Sequence, residues 1–334
     1  MKRSNLLWTG LALIVAVVAP AEPEVAAAET SEAAAVAAPA PAAGPRVVVL
    51  GTVQDGGMPQ ASCSCDRCTL ARQDPTLARR VASLAIDFPK TGHTYLIDAT
   101  PDLAAQIEEV HTFRDHPEGR VDRAPFDGVM LTHAHIGHYL GLALFGFESL
   151  NTKDLPLWVT PRFAAYLRNN GPWSQLVRLN NVAIRELAIG QPFALEEGVT
   201  VTPIQVPHRD EYSDTMAYLI RGPKKSLFYV PDTDTWDTWK VPLTEVLKDV
   251  DYALLDATFY SVDELPDRDI KKIKHPLTTA SMDLLAPLVK KGRLQVYFTH
   301  LNHSNPALDK EGAARKAIEA KGFHVLDEGD EFAL

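Results

Sequence analysis

The sequence predicts an α/β (α+β) fold arranged as a four-layer αββα sandwich, two facing sheets with helices outside. Two observations lead there. Short β-branched runs fall into two groups, each followed by segments of helical spacing. Histidines and an aspartate recur just past the ends of several of those runs, where α/β folds place their sites. Periodicity alone does not separate this sandwich from an ordinary α/β fold; the motifs do.

Residues 46–53 form the first β-branched run, closed by the turn signal Gln54-Asp55-Gly56-Gly57. Residues 83–87 and 94–98 read as a strand pair across the turn-rich Pro89-Lys90-Thr91-Gly92. Residues 103–110 have helical spacing, and 128–131 form a short buried strand. Further strands are predicted over 156–160, 199–206, 216–221 and 226–230, then over 252–256 and 294–299. Helices are predicted over 279–290 and 307–321, and 323–326 closes the pattern. There is no internal repeat of the kind that marks a solenoid.

Ahead of this domain lie two segments of a different kind. Lys2 and Arg3, an apolar run over 6–18 and the Ala19-Pro20-Ala21 cleavage pattern predict a signal peptide over 1–21. The apolar run is short for a membrane span, which needs roughly 20 residues, so no stable membrane association is expected after cleavage. Residues 22–44, mostly Ala, Pro and Glu, read as a linker. The folded domain is then 45–334, periplasmic or secreted. A net charge of −10 with no Lys/Arg block longer than two disfavours nucleic acid or an anionic membrane as partner. A small-molecule substrate is expected instead.

The most informative feature follows the strand at 128–131: Thr132-His133-Ala134-His135-Ile136-Gly137-His138. His133 and His135, two apart at a strand end, point the same way and can grip one metal ion. His138, beyond a turn, can face a second. The alternative is a polar loop that holds three of the chain's 11 histidines by chance. His208, Asp232 and His300 stand just past predicted strands. Each alone is equally a capping or turn residue; together they supply imidazole and carboxylate donors suited to Zn²⁺, Mn²⁺ or Fe²⁺. Cys63-x-Cys65-x-x-Cys68, the only cysteines, can fill three corners of a tetrahedral zinc site. They could equally form one disulfide and leave one free thiol, as an exported protein permits.

From about residue 46 onward the chain resembles the metallo-β-lactamase-fold hydrolases, including their phosphodiesterase and tRNA 3′-processing branch. The succession His-x-His-x-x-His, a later His, Asp-Thr and a terminal His has that branch's order. Within the superfamily it is most similar to the pyrroloquinoline-quinone biosynthesis protein B group. The matching stretches include Val49-Leu50-Gly51-Thr52, Gly56-Gly57-Met58-Pro59-Gln60, Asn170-Gly171-Pro172-Trp173-Ser174, Val206-Pro207-His208-Arg209-Asp210-Glu211 and Leu301-Asn302-His303-Ser304-Asn305-Pro306. The resemblance implies a metallo-β-lactamase sandwich and a division of labour. His133, His135 and His208 would hold a first metal, His138 and His300 a second, with Asp232 bridging. A metal-activated water would attack a phosphoryl or acyl centre, and His275 could protonate the leaving group, a surface or capping role being as compatible with the sequence. In the phosphodiesterase branch a similar cysteine loop is completed by a histidine shortly after the last catalytic one; that residue would be His303, with a structural zinc.

Gly137 departs from the family motif, which has an aspartate there as a ligand of the second metal. The second site then keeps His138, Asp232 and His300, weakened rather than lost. The quinone-biosynthesis proteins instead keep that aspartate and lose early histidines. Three functions are compatible: an exported metal-dependent hydrolase acting on a phosphodiester or other ester, which the residues favour; an iron-dependent oxidative enzyme of the quinone-biosynthesis type; and a binding protein with a decayed site. A secreted tRNA nuclease fits poorly with the charge, and a β-lactamase with the Asp232 bridge and the cysteine loop.

Cleavage after Ala21 predicts a mature chain that begins at Glu22 and leaves the cytoplasm. Fractionation with mass determination of the mature N-terminus checks this; an intact Met1 in the cytoplasmic fraction would refute it.

Overall fold

The computed structural model describes residues 44–264 and 274–334; the expected signal peptide (1–21) and all but the last residue of the expected linker (22–44) lie outside the described residues. β1 (Arg46–Gly51) shows how the sequence builds layers. Val47 and Val49 enter one apolar cluster, Val48 and Leu50 another, because successive side chains of a strand face opposite sides of its sheet. A strand apolar on both faces needs a covering layer on each side. β9 (Met216–Arg221) and β10 (Ser226–Val230) follow the same parity. Tyr218, Ile220, Leu227 and Tyr229 face inward, whereas Ala217, Leu219, Phe228 and Val230 face out.

The inward cluster is the seam between two seven-stranded sheets. The first runs in the order β14 (Glu331–Ala333), β1, β2 (Ser83–Phe88), β3 (His93–Ile97), β4 (Gly128–Met130), β5 (Leu155–Val159), β6 (Val182–Glu186). The second runs in the order β13 (His324–Val325), β12 (Gln295–Thr299), β11 (Tyr252–Asp256), β10, β9, β8 (Thr200–Gln205), β7 (Phe193–Ala194). Each sheet joins an antiparallel part to a parallel run, β3 to β6 in one and β10 to β13 in the other. Parallel strands bring their C-terminal ends to one edge. That edge is where the histidines are delivered.

Helices cover the outer faces. α2 (Leu103–Val110), α4 (Pro161–Asn169) and α5 (Trp173–Arg178) pack on the first sheet. On the second lie α6 (Leu243–Val246), α7 (Thr278–Val289) and α8 (Ala313–Ala320). α1 (Asp66–Gln73) follows the cysteine loop and α3 (Ile136–Tyr139) closes the histidine motif. The expected αββα sandwich is therefore present. Among the described residues no helix is long and apolar enough to cross a membrane.

Two hydrogen bonds bind the sheets together beside the motif. Met216 N donates to Thr132 O at 3.0 Å, and Tyr218 Oη to Leu131 O at 2.6 Å. Gly51 lets the end of β1 lie close to the neighbouring chain: a Cβ there would fall 2.0 Å from the Val81 carbonyl oxygen.

The helix expected over 307–321 is corrected. Pro306–Leu308 is a single 3₁₀ turn, capped by Asn305 Oδ1 accepting from Ala307 N at 2.9 Å, and α8 begins only after Gly312. Asn305 is held off the helix because its Nδ2 is buried against Ala257 O at 2.8 Å. The periodicity ran continuously across a break imposed by tertiary contact. Edge strands β6, β7 and β14 were not expected; β7 and β14, two and three residues long, are too short to show an alternating pattern.

Candidate metal centre

Six histidines and three aspartates meet at the shared edge of the two sheets, in donor groups whose atoms lie within 4.8 Å of one another. The first group is His133, His135, His208 and Asp232. Asp232 Oδ2 lies 3.3 Å from His133 Nε2, 3.1 Å from His208 Nε2 and 3.7 Å from His135 Nδ1, and the last two nitrogens are 3.2 Å apart. Bonds of about 2.0–2.1 Å at tetrahedral angles put donors about 3.3–3.5 Å apart, so these atoms surround a point suited to zinc.

Asp232 also joins a second group with His300, His275 and Asp256, and His138 Nε2 stands 4.0 Å from its Oδ2. Asp232 therefore belongs to both donor groups and lies between them. His138 and His300 stack at a centroid distance of 5.3 Å and share a third group with Asp55. Asp55 was read from sequence only as part of a turn. Its place in the turn that follows the first predicted strand, 46–53, was the available signal.

The donors are satisfied on one side and open on the other. His133 Nε2, His138 Nε2, His300 Nε2, Asp55 Oδ1 and Asp232 Oδ1 are buried without any hydrogen-bond partner. Buried polar atoms are costly when unpaired, so five of them converging on one place fit a cation. The opposite ring nitrogens are all engaged. His133 Nδ1 meets Thr132 Oγ1 at 3.0 Å, His138 Nδ1 meets Asp98 Oδ2 at 2.8 Å, and His208 Nδ1 meets Asp234 Oδ1 at 3.3 Å. His300 Nδ1 meets Thr258 Oγ1 at 3.0 Å, His275 Nδ1 meets Asp256 Oδ2 at 2.9 Å, and His135 Nε2 meets Glu211 Oε2 at 2.9 Å. Such partners fix the ring orientation and tautomer of metal-binding histidines.

Two of these positions are held against backbone preference. Asp98 (φ 68°) and His300 (φ 58°) are left-handed, a conformation that costs non-glycine residues energy and collects at functional sites. Asp98 repays this by accepting Thr132 N at 2.7 Å and Thr132 Oγ1 as well as His138.

The electrostatics belong to one coupled cluster. Burial, then the charge on His138, holds His133 well below the usual imidazole range. Burial opposes charge on His138, yet Asp98, with Asp55 and Asp232, lifts it to about 9. His275 reaches about 9 in the same way: Asp256 and Asp232 outweigh its burial. Burial pushes Asp232 up, but His208, His275 and His300 hold its carboxyl well below the carboxylate range. A divalent cation bound among these donors would compete with protons for them.

The cysteines form a separate group. Cys63, Cys65, Cys68 and His303 each offer a donor within 4.8 Å of the others, and all three cysteines are free. His303 Nδ1 is buried without a partner. Arg72 ties the loop down through Cys63 O at 2.6 Å and Gln60 O at 2.8 Å, and Arg67 Nη1 reaches His303 O at 3.0 Å. All ten residues singled out as ligands in the sequence lie in two neighbourhoods, the histidine–aspartate cluster and the cysteine group, and His275 stands in the first.

A family model, the beta-lactamase superfamily domain, matches residues 93–322. The chain belongs to the metallo-β-lactamase superfamily. A coenzyme PQQ synthesis protein B from Rhodopseudomonas palustris is 29% identical over 321 residues, covering 86% of this chain and 99% of that protein. The zinc-bound PqqB of Methylobacterium extorquens shares the fold at a TM-score of 0.73 with 24% identity, over 86% of this chain and 100% of the other. A diphosphatase of the PhnP family shares it at 0.60 with 22% identity, over 87% and 97%. The superfamily's members are mostly hydrolases, and the clustered donors support metal binding by this chain.

Asp98→Asn removes the charged acceptor of His138 and keeps its shape. Retention of the more weakly bound active-site metal is expected to fall by about 10–100-fold. Chelator competition on the loaded protein reads this, and unchanged retention would contradict the orienting role.

Proposed function

We propose that this protein is an exported metal-dependent hydrolase that acts on a phosphodiester or another ester of a small molecule. The observation that carries the reading is the position of Asp232 between two histidine groups, each with open donor atoms pointing inward. That is the arrangement of a two-metal hydrolytic centre, and zinc suits it best among zinc, manganese and iron. Bound metal would supply a water of lowered pKa and polarise the scissile group. His133, His135 and His208 would hold one ion, and His138 and His300 the other, with Asp232 shared.

The chain's own groups then do the rest. His275, held by Asp256 at 2.9 Å and 3.3 Å from Asp232 Oδ1, keeps a proton at the edge of the centre for the leaving group. It also lines a cleft of about 720 Å³ with Trp236, Trp239, Pro242 and Leu284. Those walls bind an apolar portion of the substrate and keep water from it. Glu211 and Ser213 fold the 209–214 loop over the first group, through His135 Nε2 at 2.9 Å and Ala134 N at 2.8 Å. The cysteine group with His303 would hold a structural zinc that pins the 60–68 loop to the end of β12. The export signal and negative charge support action outside the cytoplasm on a small substrate rather than a nucleic acid.

Turnover of a generic phosphodiester such as bis(4-nitrophenyl) phosphate tests this. Activity is expected to vanish on chelation and return with metal. In His133→Ala it should fall well beyond the ~10–100-fold that losing a ligand-orienting residue costs. No turnover of any phosphodiester, ester, lactam or lactone would overturn the reading.

One observation favours a second reading. The PQQ synthesis relative is matched over nearly its whole length, which suits an iron-dependent oxidative role in making a quinone cofactor. Anaerobic purification followed by metal analysis separates the two. Iron in the histidine centre supports the second; zinc alone there excludes it.

A further inference from the structure

Position 137 is where the superfamily motif carries a carboxylate and this chain carries none, yet the space is filled. A Cβ built on Gly137 would lie 1.9 Å from Asp55 Oδ1 and 2.7 Å from Asp55 Cγ. The carboxylate of Asp55, eighty-two positions earlier in the chain by subtraction of the residue numbers (137 − 55), occupies the room that an aspartate at 137 would need.

Three further observations point its oxygen at a ligand. Asp55 Oδ1 lies 3.5 Å from His138 Nε2 and 3.9 Å from His300 Nε2. All three atoms are buried and without hydrogen-bond partners. The other nitrogens of both rings are committed, to Asp98 and Thr258, so only the Nε2 atoms are free to turn toward an ion.

The turn that carries Asp55 is fixed to the loop that carries His300. Gln54 N donates to Leu301 O at 3.1 Å, Leu301 N to Thr52 O at 3.1 Å, and Gln54 Nε2 to Asn302 Oδ1 at 2.9 Å. Gly57 closes the turn on Gln54 O at 2.9 Å with φ 69°, a conformation that glycine adopts without strain. A carboxylate held this firmly, part-buried and with an oxygen unpaired, is an incomplete arrangement unless a cation completes it.

We infer that Asp55 is the missing carboxylate ligand of the second metal, supplied from the turn after β1 in place of the residue at 137. The second site would then comprise His138, His300 and Asp55 with Asp232 shared, a full set rather than a weakened one. Glycine at 137 is the counterpart of this relocation, since the two carboxylates cannot occupy the same space. The inference rests on the two-metal reading of the centre.

The test is zinc stoichiometry and affinity of the mature protein, by elemental analysis and chelator competition with Zn²⁺ alone. Wild type is expected to hold three equivalents, one at the cysteine group and two at the histidine centre. Asp55→Asn, which keeps the shape and removes the charge, should hold two tightly and the third about 100-fold or more weakly. Gly137→Asp, which forces the two side chains together, should also weaken the third. Three equivalents of unchanged affinity in Asp55→Asn would overturn the assignment and leave the two-metal reading intact, as would tighter binding in Gly137→Asp. Only two equivalents in wild type would overturn the two-metal reading itself.

Discussion

A single buried carboxylate governs this molecule. Asp232 is 3% exposed, at the end of β10, with one oxygen facing three imidazoles and the other unpaired. A charge in such a place is tolerable only among compensating positive charges. The fold supplies them from strand ends in both sheets: His133 and His138 beyond β4, His208 beyond β8, and His300 beyond β12. The orientation of each ring by Asp98, Asp234, Asp256, Thr132 or Thr258 follows from the same need. Imidazoles brought this close repel one another when protonated, so each must be held in place by something other than its neighbours.

Neither sheet can make this centre alone. The first contributes the 133–138 motif and the turn after β1; the second contributes Asp232, His300 and the loop with His208. The seam that joins them is largely apolar; hydrogen bonds cross it beside the site, at Thr132 O, Leu131 O and between Thr52, Gln54 and Leu301, and elsewhere from Tyr95 to Glu196. Burial drives the sheets together, but it is non-directional. The backbone bonds at the site edge set the facing, and a bound ion would add to the free energy that keeps it.

Much of this was legible because period-two burial is written directly into β1, β9 and β10, and because His133, His135 and His138 form a compact motif. His208, Asp232 and His300 were found by position alone, each one to three residues past a strand. Asp98, one residue past β3, Asp256, the last residue of β11, and Asp55, in the turn after β1, also stand near strand ends and were passed over. An aspartate beside a turn has so many ordinary uses that spacing cannot single it out, and only the meeting of two sheets reveals its partners. Gly137 was read as a loss for the same reason. A sequence shows which side chain is absent at a position, but not which distant residue has entered its space. The broken helix after Asn305 failed differently: its periodicity was real, and a buried side-chain amide overrode it.

The superfamily match opens at His93, the first residue of β3, and closes ahead of β14. Physically that boundary runs through the middle of a sheet. β2 pairs with β3 along its whole length, β1 with β2, and β14 with β1. Outside the boundary lie three adjoining strands of that sheet, the edge strand β13 of the other, the cysteine loop and the turn that carries Asp55. A protein trimmed to the matched region would expose one full edge of β3 and lose eight of the nineteen buried residues of the apolar seam. The stretch that the family model matches is thus smaller than the unit that can fold, whereas the PQQ synthesis relative, matched over 86% of this chain, spans nearly all of that unit.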